Sequence, residues 1–194
     1  RACNAAIQPA IHLNRVCCCK QMGGGEGSER ERERHLTAVR RNGYALQYVP
    51  EMYKADRHIV LSAVQRNGRA LEFASPSLRG DRAIVLAAVE GNAEAIRYAA
   101  QTLQGDRQLV LVAVQANGAT LRYAAEELKA DRETVRAAVQ QTGSVLECAA
   151  GELRGDREIV MAAVQQNGCA VMHAAEDLRG DREIVLAAVQ QHGC

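Results

Sequence analysis

Apolar and polar positions along this chain follow two alternating patterns that return with a constant period. One pattern is a six-residue run such as Ile184-Val185-Leu186-Ala187-Ala188-Val189, apolar on nearly every side of a helix. The other is a stripe. Between Ala119 and Lys129, Leu121, Ala124, Ala125 and Leu128 fall at i, i+3, i+4 and i+7, with Arg122, Glu126 and Glu127 between them. The first pattern predicts a short helix covered on several sides, the second an amphipathic helix with one wet face. No segment alternates with the period of two that marks a strand.

Punctuation between the patterns sets the period. Asp-Arg occurs at 56–57, 81–82, 106–107, 131–132, 156–157 and 181–182, a spacing of 25 residues each time. Eleven residues after the Asp comes Asn67-Gly68, Asn117-Gly118 or Asn167-Gly168, with Asn92-Ala93, Thr142-Gly143 and His192-Gly193 as variants. A divergent earlier unit keeps Asn42-Gly43. The units are therefore 31–55, 56–80, 81–105, 106–130, 131–155, 156–180 and the half unit 181–194. Residues 1–30 lack the repeat and read as an N-terminal arm with a Gly-rich linker. Because residue 194 falls between two expected helices, the array is expected to continue in the natural protein.

Asp is a favoured N-cap, since its carboxylate accepts from the first free amides of a helix. Asp56, Asp81, Asp106, Asp131, Asp156 and Asp181 are therefore assigned as structural caps of the first helix in each unit. Asn-Gly is expected to stop that helix through a left-handed Gly, and Gly80, Gly105, Gly155 and Gly180 to stop the second. Isolated helices of about ten residues are unstable in water, so stacking must supply the missing cover. The expected fold is all-α, a solenoid of short helical hairpins in about six and a half 25-residue repeats. In the first unit Glu31 replaces Asp, and Arg34-His35 stand where other units are apolar. That pattern suits a solvent-facing capping repeat.

Composition narrows the picture. With no Trp and one Phe, the core must be built of Ala, Val, Leu and Ile in close packing. The net charge is +1, and residues 31–194 hold 20 basic and 21 acidic side chains, so no global field attracts nucleic acid or an anionic membrane. No apolar run approaches the roughly 20 residues of a transmembrane helix. Seven cysteines, with Cys17, Cys18 and Cys19 consecutive, do not suit a secreted disulfide framework. An intracellular setting is expected, either cytoplasm or an organelle such as a plastid or mitochondrion.

Several features carry candidate chemistry. Arg57, Arg82, Arg107, Arg132, Arg157 and Arg182, with Arg32, form a ladder beside helix N-termini, where anions are welcome, and are the candidate partner-binding residues. Pairing of each Arg with an acid of its own or the adjoining unit is the favoured alternative. Lys54, Arg79, Lys129, Arg154 and Arg179 precede the Asp caps and suggest an edge of alternating charge. Tyr48, Phe73, Tyr98, Tyr123 and His173 share one column, interrupted by Cys148. Such columns stack bases in some helical repeats, although packing at the seam between units is favoured here. Arg-Gly-Asp at 79–81, 154–156 and 179–181 falls at helix boundaries and reads as structural. His12, His35, His58, His173 and His192 have no spacing suited to a metal or catalytic triad, and the cysteine run with Cys3 and His12 lacks the gaps that wrap zinc. Gly23-Gly24-Gly25-Glu26-Gly27 has no Lys-Ser/Thr ending and is no phosphate loop. Neither cofactor nor metal nor catalytic residues are expected.

The unit D-R-x-x-V-x-x-A-V-Q-x-N-G-x-A-L-x-Y-A-x-x-x-L-R-x resembles a helical-repeat family catalogued as a domain of unknown function, number 4116, over residues 31–194. The resemblance implies a helical array with no established activity. Together these readings predict a non-enzymatic protein-protein interaction scaffold, an accessory or peripheral subunit of a larger and potentially organellar complex, photosynthetic or respiratory. Its arm, residues 1–30, is expected to dock on a neighbouring subunit. The alternatives are a single-stranded nucleic-acid-binding repeat, or a targeting or regulatory array fused to a further domain.

Overall fold

In the computed structural model, residues 26–191 are described. The Cys3, His12 and Cys17–Cys19 group, the docking arm up to residue 25, and His192-Gly193 lie outside them. The described part is an all-α array without strands. Seven long helices set its period: α1 Glu26–Arg41, α2 Arg57–Arg66, α3 Arg82–Gly91, α4 Arg107–Ala116, α5 Arg132–Gln141, α6 Arg157–Gln166 and α7 Arg182–Gln191.

Three segments, rather than the expected two, make up each unit. After α4 comes a 3-10 helix, Gly118–Tyr123, then the extended pair Ala124-Ala125, then a four-residue helical turn, Glu126–Lys129. Leu121 and Leu128 still share an inward face, but through two pieces, and both are buried. Ala has the highest helix propensity. It is nevertheless extended at 124 and 125, with φ near −69° and −61°, because the Ala125 amide has a better partner outside its own segment. That amide donates to the Gln104 carbonyl of the preceding unit at 3.0 Å. Ser75 to Lys54, Ala100 to Arg79, Ala150 to Lys129 and Ala175 to Arg154 repeat the bond at 2.8–3.0 Å. A main-chain rung thus joins each unit to the one before it. In the first unit the same position is Pro50, which has no N–H to donate.

Each long helix divides its apolar face between two neighbours. In α7, Ile184 and Ala188 are buried, whereas Val185 and Val189 are 38% and 55% exposed. In α1 the first of these pairs is the exposed one, as Arg34 and Ala38, while Val39 is buried. The Ile/Ala pair therefore faces the preceding unit and the Val/Val pair the following one. Interior copies such as Ile84, Val85, Ala88 and Val89 are all enclosed, at 0–1% exposure. α4 shows the division directly, since Leu109 and Ala113 pack with the earlier units and Val110 and Val114 with the later ones.

The Asn-Gly mark works differently from the sequence expectation. Asn67 is extended (φ −154°) and serves both as C-cap of α2 and as N-cap of the 3-10 helix, accepting from Arg69 N at 3.0 Å. Among the described residues, none of the glycines from Gly43 to Gly180 is left-handed. Gly is needed because the next unit comes too close for a side chain. A Cβ on Gly43, Gly68, Gly118, Gly143 or Gly168 would lie 2.1–2.5 Å from the carbonyl oxygen of Ala63, Ala88, Ala138, Ala163 or Ala188. Gly80, Gly105, Gly155 and Gly180 do end the second segment, but in a right-handed conformation (φ near −95°) that Ala55 and Ala130 adopt equally well.

The first unit caps the array only in part as expected. α1 begins at Glu26, so residues 26–30, assigned to the linker, are helical. Despite Gly27 and Ser28, the helix extends back because Glu26 and the unbroken Glu/Arg run from Glu29 to Arg34 are good helix formers. Arg34 is exposed. His35 is not solvent-facing, because it sits at the position that meets the following unit, half-buried with its ring 5.1 Å from that of Tyr53.

Candidate interaction surface

The six Asp residues all cap their helices, and each has a second role. Asp156 accepts from the amides of Glu158 (3.0 Å) and Ile159 (3.2 Å) through Oδ1, which leaves Oδ2 for Arg132 of the unit before, at 2.9 Å. Asp81, Asp106 and Asp181 cap in the same way. Asp131 takes the Thr134 amide and hydroxyl, and Asp56 the His58 and Ile59 amides.

This resolves the arginine ladder. Arg32, Arg57, Arg82, Arg107, Arg132 and Arg157 each bond the Asp 24 residues ahead, at 2.5, 3.1, 2.7, 3.3, 2.9 and 3.4 Å. Three of them fork to a second acid: Arg107 to Glu133, Arg132 to Glu158 and Arg157 to Glu183. Arg82 reaches Gln108 instead, at 3.1 Å. Arg182 has no acidic partner among the described residues. Of the assigned partner-binding residues, five are thus already engaged in inter-unit ion pairs. The Arg side-chain bond leads the causes that hold Asp56, Asp106 and Asp156 below the ordinary carboxylate range, and the Thr134 hydroxyl leads for Asp131. The Arg partners are shifted upward by the same bonds.

Two of the five basic positions before the caps are paired within their own segment, whereas Arg79 Nε and Arg154 Nε are buried without a hydrogen-bond partner. Lys54 meets Glu51 at 2.7 Å and Lys129 meets Glu126 at 2.8 Å, each within one helical turn. At the same position Gln104 donates to the carbonyls of Ile96 and Arg97. The Arg-Gly-Asp tripeptides span the end of that turn and the next cap.

The aromatic column is a packing feature over most of its length. Phe73, Tyr98 and Tyr123 pack partly buried against the core, whereas Tyr48 is 78% exposed. The Arg97 guanidinium lies 4.8 Å from the Tyr98 ring centre and 5.9 Å from that of Tyr123, so it occupies the site between successive rings. Burial, followed by a bond with Glu72, raises the Tyr98 phenol.

A further open surface runs along the outer face of the long helices and borders the ladder. Shallow grooves run there between neighbours. One, of about 400 Å³, lies between α1 and α2 and is lined by Arg40, His58, Leu61, Ser62, Gln65 and Arg66. Another, of about 690 Å³, lies between α5 and α6, with Arg136, Gln140, Met161, Ala162 and Gln165 on its walls and the ion-paired Arg157 and Glu158 of the ladder at one end. The two recur in the same register, since Leu61, Ser62 and Gln65 correspond to Met161, Ala162 and Gln165 four units on. This surface was not singled out in the sequence reading. Its only signal there was that polar residues flank a half-exposed Leu/Met position within an otherwise apolar run. Among the described residues, no helix is long and apolar enough to cross a membrane.

A family model described as Domain of unknown function (DUF4116) matches residues 32–79, 56–104, 106–154 and 156–194. No curated protein and no solved structure matches the chain.

Proposed function

Because the chain belongs to the DUF4116 family of helical repeats, whose description assigns no activity, we propose that it is a non-catalytic scaffold that binds other proteins along the outer face of its long helices. One observation carries the proposal: two grooves between long helices lie in the same register four units apart, and each is lined by apolar and polar side chains together. A stacked array of this kind suits an extended partner, which can meet several equivalent grooves at once. As a peripheral subunit of a larger complex, the chain would contribute rigidity and a periodic surface rather than chemistry.

The test is co-purification from native lysate with quantitative mass spectrometry, comparing the chain with an Arg136→Glu/Met161→Glu variant. Arg136 is exposed and Met161 half-buried in the α5–α6 groove, so the fold should survive, as circular dichroism would check. The scaffold reading expects a specific set of proteins whose recovery drops at least several-fold with the variant. Equal recovery by both would overturn it.

A further inference from the structure

The third seam, between units 81–105 and 106–130, differs from the others at the position where close approach matters most. Five units place Gly there, and all five glycines are buried against the next helix. The third unit places Ala93, which is only half-buried. Where a Cβ would stand 2.1–2.5 Å from the facing carbonyl in the other seams, the Ala93 methyl must be accommodated by separation. Accordingly, α3 and α4 approach each other over the shortest stretch of any neighbouring pair of long helices. This unit instead has a glycine two residues earlier, Gly91 in the last turn of α3, where Ala116, Gln141, Gln166 and Gln191 stand in later units. An exposed helical Gly weakens that turn.

The far edge of the same seam is intact. Ala125 N still donates to Gln104 O at 3.0 Å, and Arg82 Nε to Asp106 Oδ2 at 2.7 Å. We propose that Ala93 makes this seam a hinge. The rung and ion pair on the turn edge act as its pivot, and the wedge at Ala93 parts the long helices on the grooved face. The array then consists of two blocks, residues 31–105 and 106–191, whose relative bend changes with little cost to either block. Such a bend adjusts groove spacing to a partner, but the inference does not depend on the scaffold reading, because it concerns the bare chain.

Amide hydrogen exchange of the full chain, followed by mass spectrometry, tests this with three variants. In the unaltered protein, amides of α3 and α4 should exchange at least tenfold faster than their counterparts in α5 and α6. Ala93→Gly should slow them to the level of the other interior seams. Gly118→Ala, which leaves Ala93 in place, should extend the fast exchange to α5. Gly91→Gln, whose added Cβ meets only ordinary contacts at 3.7–3.8 Å, should slow the last turn of α3 alone. Protection of α3 and α4 equal to that of α5 and α6, or fast exchange that Ala93→Gly leaves unchanged, would overturn the hinge. Because Ala93→Gly removes a methyl rather than adding one, the test does not depend on whether Gly118→Ala folds.

Discussion

Arg132 and Asp156 are 24 residues apart in sequence and 2.9 Å apart in space, and the acid at this contact also starts helix α6. The two roles have different weights. Capping removes unsatisfied amides from a partly enclosed helix end and contributes about 1 kcal/mol. The ion pair has its Arg side chain 49% exposed, so solvent screens it and it contributes less than the cap. Asp156→Ala should therefore destabilise the chain by about 1–2 kcal/mol in urea titration, and Arg132→Ala by well under half of that. Equal losses would show that the cap is secondary.

The pH dependence follows from the same acids. Asp56, Asp106 and Asp156 are held below the ordinary carboxylate range chiefly by Arg32, Arg82 and Arg132. A carboxyl depressed on folding contributes stability that is fully present above its unfolded value, about 3.9, and is lost as pH falls through the folded value. The melting temperature should thus hold steady from about pH 7 down to pH 5 and fall below about pH 4. Asp156→Asn should show a shallower fall. Thermal melts followed by circular dichroism at stepped pH measure both.

Among the described residues, Thr142 is the one position of the Asn column that lacks a side-chain cap bond, although its backbone (φ −147°, ψ 99°) matches that of Asn167 (φ −149°, ψ 110°). Asn167 accepts from Cys169 N at 3.1 Å. Thr142→Asn should supply the equivalent bond to the Ser144 amide and raise stability by roughly 0.5–1 kcal/mol. An unchanged or lowered denaturation midpoint would count against the assigned capping role.

Nucleic-acid binding should be weak. Balanced Lys/Arg and Asp/Glu release few counterions, and Arg97 already fills the space between the Tyr98 and Tyr123 rings. Fluorescence anisotropy with a mixed-sequence single strand at physiological salt should show no submicromolar affinity. Tight, salt-sensitive binding that is lost in Tyr98→Ala/Tyr123→Ala would establish the nucleic-acid alternative instead.

The sequence showed the period, the unit boundaries and the Asp caps, because a cap is a local device recorded in one residue and its next few neighbours. The second half of the unit was less legible. Leu121, Ala124, Ala125 and Leu128 fit a continuous helix, and nothing local to Ala125 announces that its amide belongs to Gln104 of the unit before. Pro50 was the available clue, since it removes the donor in the first of the described units. Gly68 and its equivalents were recognised as required, but for conformational freedom; closeness to the Ala88 carbonyl is a property of the stack alone. The grooves are fainter still, because they arise between helices 25 residues apart and no single helix contains one.

Stacking of 25-residue units through main-chain rungs is the central claim, and the amides of Ser75, Ala100, Ala125, Ala150 and Ala175 report on it most directly. None of the five is paired within its own helical segment, so only contact with the preceding unit can protect it. Residue-resolved amide exchange by NMR should show all five protected well above the extended-chain rate, with Ala125 and Ala150 among them. Free exchange at all five, alongside protected long helices, would contradict the stacked array and leave only independent short helices.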